Sequence, residues 1–240
     1  MIKYAIRLKE LLLYTNLLSI FKPLESFFHF VYYFNRLTKF IHQHKNGLLM
    51  NDFYVGKRDY SKRYKMYETV SLAYKKNTEP VIYLEFGVAA ALSFNWWLNH
   101  NKNEKSNFFG FDTFEGLPEN WGSFYVKGDL AHGVPNINDS RATFIKGLFQ
   151  DTLPQFIETN KLAMRQPKII HLDADLYTAT LFVLTQFYPY LQKGDLIFFD
   201  EFSVATHEFK AFEEFTKAFY VKLKPVAAVN NFYQTAFVVE

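Results

Sequence analysis

The stretch KIIHLDADLYTAT, Lys168–Thr180, decides the fold. A short apolar run ends in two carboxylates, Asp173 and Asp175, and a second apolar segment of helical length follows at once. The pattern returns in DLIFFDEF, residues 195–202, where Asp200 and Glu201 close another apolar run. Short continuous apolar runs bounded by turn signals read as strands buried on both faces. Working outward, VIYLEFGV (81–88), FFGFDTF (108–114) and ATFIKGLF (142–149) add three more such strands. Between them, AALSFNWWLNH (90–100), DTLPQFIETNKL (151–162), TATLFVLTQFYPYLQ (178–192) and HEFKAFEEFTKAFY (207–220) read as helices. Gly194 stops the third of these, and Phe209, Phe212, Phe215 and Phe219 share one side of the fourth. PVAAV and TAFVVE, joined by the turn-prone NNFYQ, close the chain. Regular strand–helix alternation predicts an α/β fold: a doubly wound, Rossmann-like parallel sheet with helices on both faces.

The 240 residues are 49% hydrophobic, enough for one well-buried core. Cysteine is absent, which excludes disulfides and thiolate metal sites. A net charge of +3 is too small to argue for nucleic acid. The charge is uneven, however. Residues 1–65 carry twelve Lys/Arg against four Asp/Glu. The first 45 residues are also rich in Leu, Phe and Tyr, and read as helices broken near Pro23. Their uncharged runs, LLLYTNLLSIF and SFFHFVYYFN, fall short of the ~18–20 residues that span a bilayer. Nor do they have the form of a cleavable signal peptide. Two readings fit this extension. It packs on the domain or on a second subunit as a homodimer contact, or it lies on an anionic membrane surface. Residues 46–60 read as a connector and Ser61–Lys76 as a helix, so the chain divides into an extension (1–60) and a main domain (61–240).

In a doubly wound sheet, ligands sit beyond the carboxyl ends of the strands. Glu85, Asp112, Asp173 and Asp200 all fall near such ends, and four unpaired buried acids are costly unless something positive is bound. In LEFGVAAALSF only one glycine, Gly87, remains of the dinucleotide fingerprint. A ligand without a pyrophosphate, such as S-adenosyl-L-methionine, suits this turn better. Asp112 is placed to accept hydrogen bonds from ribose hydroxyls.

The segments VIYLEFGV, FFGFDTFEGLPENW, GLFQDTLPQF, HLDADLYTAT and LIFFDEF, in this order, resemble the macrocin O-methyltransferase (TylF/MycF) family of class I S-adenosylmethionine-dependent methyltransferases. The resemblance covers roughly residues 60–240. It implies a seven-stranded sheet with an antiparallel last strand, and methylation of a sugar or polyol hydroxyl assisted by Mg2+ or another divalent cation. Carried over by position, it places Glu85 and Gly87 at the methionine end of the cofactor, Asp112 on the ribose, and Phe114 beside the adenosine. Gly147 and Leu148 would lie near the adenine, and Asp173, Asp200 and Glu201 would ligate the metal. Glu201 departs from the family's second aspartate, Ala174 from its glycine, and GVAAAL from its glycine-richer turn.

A divalent cation lowers the pKa of a bound hydroxyl, and hard cations take carboxylate oxygens. Asp173 and His207, which opens a helix just after Asp200 and Glu201, are therefore the catalytic candidates. Asp175 reads as a helix N-cap, a supporting group or a further ligand. His171 reads as an interior side chain, and His132 belongs to a polar loop that can cover the site. The expected partner is a small-molecule or glycan acceptor, and the expected location is the cytoplasm or its membrane face. Two alternatives stay open at this stage. One is a methyltransferase-fold scaffold without turnover; the other is an enzyme acting on a phenolic or lipid-linked acceptor.

Overall fold

The computed structural model describes residues 2–121, 125–161 and 163–240. Leu162, placed by the sequence at the end of a helix, lies outside the described residues. Eight strands form one sheet. They are β1 (Met50–Asn51), β2 (Ile82–Phe86), β3 (Asn107–Asp112), β4 (Ala142–Lys146), β5 (Lys168–Leu172), β6 (Leu196–Phe199), β7 (Leu223–Val229) and β8 (Gln234–Val239). Their order is β1-β7-β8-β6-β5-β2-β3-β4. Only β8 runs against its neighbours, pairing antiparallel with both β6 and β7. The seven strands read from the sequence are all present. The eighth, β1, adds two residues at the edge beside Ala227 and Ala228, inside the stretch read as a connector.

Alternation along each strand sends side chains to two separate cores. Ile82, Leu84 and Phe86 of β2 pack with Ile170 and Leu172 of β5 on one face. Over that face lie α2 (Glu25–His44), α5 (Phe149–Thr159), α6 (Tyr177–Phe187) and α7 (Glu208–Ala218). Tyr83, Ile169 and Phe198 point to the other face, covered by α3 (Lys62–Ala73) and α4 (Leu92–His100). In α3 the buried residues are Met66, Tyr67, Val70 and Ser71, the i, i+1, i+4, i+5 stripe of a helix lying flat on a sheet. The phenylalanines of α7 behave as their spacing requires. Phe209, Phe212 and Phe215 are buried, and Phe202 and Phe237 meet Phe212 edge-on or tilted at 4.9–5.1 Å between ring centroids.

The amino-terminal segment has two parts. From Tyr33 onward, α2 joins the core through Tyr33, Leu37 and Ile41, spaced four residues apart, with Phe40 against Phe202 and Phe212. Before that, α1 (Ile2–Thr15) and a 3-10 segment over Leu17–Leu24 bury no side chain. Among the described residues, no helix is long and apolar enough to cross a membrane.

Candidate active site

Register brings the strand tips level. The Asp173 N–H donates to the Phe86 carbonyl at 2.9 Å, and the Asp200 N–H donates to the Leu172 carbonyl at 2.9 Å. Each aspartate thus sits one step past the sheet, beside the end of its neighbour. Gly87 makes this possible. It has φ +92°, and a β-carbon there would lie 1.8 Å from the Asp173 carbonyl oxygen. The turn after β2 therefore closes on the backbone that carries Asp173, which no other residue type allows. Ala89 and Ala91 in the same turn also hold positive φ, at 45° and 57°. Asp112 steadies the turn: its Oδ2 accepts the N–H groups of Val88 and Ala89 at 2.8 and 2.9 Å, and its Oδ1 accepts that of Phe114 at 2.8 Å.

Three carboxylates, Asp173, Asp175 and Glu201, bring oxygens within 4.8 Å of one another. His171, Asp173 and Asp200 form a second such group. At that spacing each like-charge pair costs on the order of 3 kcal/mol at an effective dielectric near 20. The protonation equilibria carry the strain. Burial, then Asp200 and its neighbours, pushes Asp173 well above the usual carboxylate range. Burial, with Asp200 and Asp112, pushes Asp175 up to about 7. Glu201 is raised by burial and by Asp173, and its Oε2 is buried with no hydrogen-bond partner. Among the described residues, Asp200 alone of these acids has a cation beside it. The Arg63 guanidinium lies 3.4 Å away, and Gln234 Nε2 and the Tyr67 hydroxyl each donate at 3.4 Å. An orphaned buried carboxylate oxygen within an all-oxygen, hard donor set fits a divalent cation such as Mg2+.

Under this rim lies a layer that the sequence did not reveal. Glu85 and His171 are register partners on adjacent strands, facing α3 and α4. The Tyr83 hydroxyl is hydrogen-bonded to Glu85 and lies 2.8 Å from His171 Nδ1, so it links the two. Burial, with Arg63, lowers His171 to about 3 and keeps its ring neutral. Burial raises Glu85 to about 8. Glu85 is 1% exposed and sits two residues back from the tip, so it supports the rim from below.

Above the rim opens a cavity of about 1280 Å³. Of the residues singled out from sequence, Gly87, Asp112, Leu148, Asp173, Asp200, Glu201, His207 and also Asp175 and His132 line it. Glu85, Phe114 and Gly147 are not on its wall. Phe114 instead packs into the α3–α4 core, and Gly147 donates its N–H to the Asp112 carbonyl at 3.0 Å. Asp175 is not a helix N-cap: Leu176 occupies that position in α6, and Asp175 has φ +58°. His207 precedes α7, and its Nδ1 accepts the Tyr177 N–H at 3.3 Å. Burial lowers its pKa, against a smaller rise from Glu119. Two residues escaped sequence reading. Arg63, exposed by pattern, turns inward to Asp200. Glu208 opens an amphipathic helix yet is fully buried, accepting the Glu201 N–H at 2.9 Å while its Oε1 stays unpartnered.

A sheet with β8 reversed and a cavity at the carboxyl ends of its parallel strands defines a Rossmann-like, class I methyltransferase fold. Solved structures agree on the fold. A calicheamicin methyltransferase, CalS11, superposes with TM-score 0.61 at 20% identity, covering 87% of this chain and 91% of that one. The O-methyltransferase NovP superposes with TM-score 0.56 at 20% identity, covering 74% and 79%. No curated protein matches the chain in sequence. Residues 131–234 match the model of the family described as Macrocin-O-methyltransferase (TylF), as the sequence motifs led us to expect. With that match comes the enzyme class, an S-adenosylmethionine-dependent O-methyltransferase. The matched span holds Gly147, Leu148, Asp173, Asp200, Glu201 and His207; Glu85, Gly87, Asp112 and Phe114 lie before it.

Proposed function

We propose that this chain transfers a methyl group from S-adenosyl-L-methionine to a sugar or polyol hydroxyl of a glycoside or glycan, with a divalent cation held by the strand-tip acids. The observation that carries the reading is the convergence of Asp173, Asp175 and Glu201 within 4.8 Å, with a buried unpartnered oxygen, on the wall that also bears Gly87 and Asp112. A second structure of CalS11 is described as a TDP-rhamnose 3'-O-methyltransferase, which supports a sugar acceptor.

Each residue has a distinct task. Asp112 fixes the β2–α4 turn and offers its remaining lone pairs to ribose hydroxyls. The positive-φ backbone at Gly87 and Ala89 lets the cofactor's methionine end approach the main chain. Leu148 and Phe149 supply an apolar wall for the adenine. Asp173, Asp175 and Glu201 would hold the cation, and Asp200, which shares a second group with Asp173, is balanced by Arg63. When bound, the cation supplies Lewis acidity that makes an acceptor hydroxyl easier to deprotonate. His207 takes the proton at Nδ1, exchanging its long contact with the Tyr177 N–H. Glu119, Trp121 and His132 line the mouth of the cavity, and the Thr178 hydroxyl of α6 donates to Glu119 at 2.7 Å. A scaffold without turnover is disfavoured, because the cavity is open and, among the described residues, only Asp200 of the rim acids is neutralised by Arg or Lys.

The test is methyl transfer from labelled S-adenosyl-L-methionine to two acceptor panels, sugar nucleotides and glycosides against catechols, with Mg2+ present. Labelled sugar is the expected product. Labelled catechol alone would replace the acceptor class, and cofactor binding without transfer to either panel would favour the scaffold.

A further inference from the structure

Residues before Tyr33 present an apolar surface that nothing among the described residues covers. Eighteen large apolar side chains between Ile2 and Phe34 are 45–92% exposed. Together they amount to on the order of 1,000 Å² or more, beyond the ~300–600 Å² of a typical monomer's largest patch. In α2, Phe27, Phe28, Phe30, Val31, Tyr32 and Phe34 spread over about 200° of the helix at 100° per residue. In α1, Lys3, Arg7, Glu10 and Tyr14 gather on one side, and most of the rest of the circumference is apolar. Residues 2–45 carry seven Lys/Arg against two Glu.

An apolar arc this wide exceeds the stripe that one partner helix covers. A lipid interface covers such an arc whole, and aromatic rings and basic side chains are the residues that settle there. A second copy would bring one positive arm against another, whereas anionic headgroups attract both. Position adds a further constraint. The point where α2 leaves the domain is fastened to the cavity rim. The Tyr33 hydroxyl donates to Glu214 Oε1 at 2.6 Å, and the Tyr177 hydroxyl donates to Glu214 Oε2 at 2.6 Å. Lys210 Nζ lies 3.7 Å from the centre of the Tyr177 ring, and the Tyr177 N–H donates to His207 on the cavity wall. The exposed part of α2 begins there and extends about 12 Å to Glu25.

We infer that the arm of residues 2–34 docks the protein on an anionic bilayer and sets the cavity mouth toward that surface, so that the acceptor is a glycan carried on a lipid. The docking stands independently of catalysis; the acceptor class rests on the methyltransferase reading.

The full chain, floated with vesicles of phosphatidylcholine with or without phosphatidylglycerol, tests this. Binding is expected to need phosphatidylglycerol and to weaken with salt. Phe27→Ser/Phe28→Ser/Phe30→Ser and Lys3→Glu/Arg7→Glu/Lys9→Glu should each weaken it about tenfold or more. Because the chain lacks cysteine, Leu130→Cys on the cavity wall and Lys161→Cys beyond α5 accept a single dye each. Brominated lipid should quench the dye at 130 and leave that at 161 bright. Absence of lipid binding, with self-association lost in the Ser variant, would assign the arm to a second copy and overturn the proposal; so would quenching at 161. Calorimetry with S-adenosylhomocysteine on the same samples reports the methyltransferase reading separately.

Discussion

Two regions of this molecule break opposite rules. At the strand tips, carboxylates are buried with too little positive charge to balance them. In the amino-terminal arm, aromatic and aliphatic side chains face outward with nothing apolar to cover them. Each is unfavourable for an isolated chain, by desolvation in one case and by hydration in the other. The contrast teaches that an incomplete part of a fold indicates, by the sign of what it lacks, what completes it: a cation for the tips, a hydrocarbon surface for the arm.

The sharpest way to break the first half of that comparison is Asp173→Ala. Turnover should fall beyond the ~10–100-fold that outer-shell partners of a metal cost, while S-adenosylhomocysteine affinity, measured by calorimetry, stays near wild type. Retained turnover would remove the tips from catalysis. Next in size, chelation with EDTA should silence methyl transfer in a continuous assay and added Mg2+ should restore it. Undiminished activity after exhaustive chelation would give the carboxylates another role.

Protonation gives a third, smaller effect. Asp175 and Glu85 have folded pKa values raised to about 7 and 8. Raised acids keep their protons in the folded state while the unfolded chain has lost them. Stability of the metal-free protein is therefore complete below about pH 4 for these groups and declines as pH rises toward 8. Each kcal/mol lost lowers Tm by about 2–4 °C in a chain of this size. Calorimetric scans at pH 5 and pH 8 should show the fall, and Mg2+ should reduce it more at pH 8; a Tm that rises with pH contradicts the uncompensated cluster. Smallest is Tyr33→Phe, which removes one hydrogen bond to Glu214 for about 1 kcal/mol. Tm should drop about 2–4 °C with soluble-substrate turnover unchanged. A larger loss of turnover would mean that the arm's anchor also shapes the site.

Much of the fold was legible because buried strands write themselves as apolar runs, and a carboxylate ending such a run is visible without coordinates. KIIHLDAD and DLIFFDEF placed Asp173 and Asp200 correctly at neighbouring tips. Other features depend on packing between distant segments. Two residues, Met50 and Asn51, carry no periodicity, so β1 could not be read. Glu208 looks like an ordinary first-turn acid until α7 is docked on β6. Glu85 seemed to belong to the rim, but register sets it level with His171, two residues below. Asp175 follows the strand's end in a left-handed turn, and strand alternation could not foresee its convergence with Glu201. The arm's composition was plain from sequence. That its exposed part starts beside the cavity depended on Tyr33, Glu214 and Tyr177, three residues from three helices.

The most direct measurement is a titration of Mn2+ into the full chain followed by electron paramagnetic resonance, with S-adenosylhomocysteine present, for wild type and Asp173→Asn. Loss of the free-ion signal at one equivalent in wild type, and none in the variant, is the expected result. A free-ion signal that is undiminished in both, or equally diminished in both, would contradict a cation held by the strand tips.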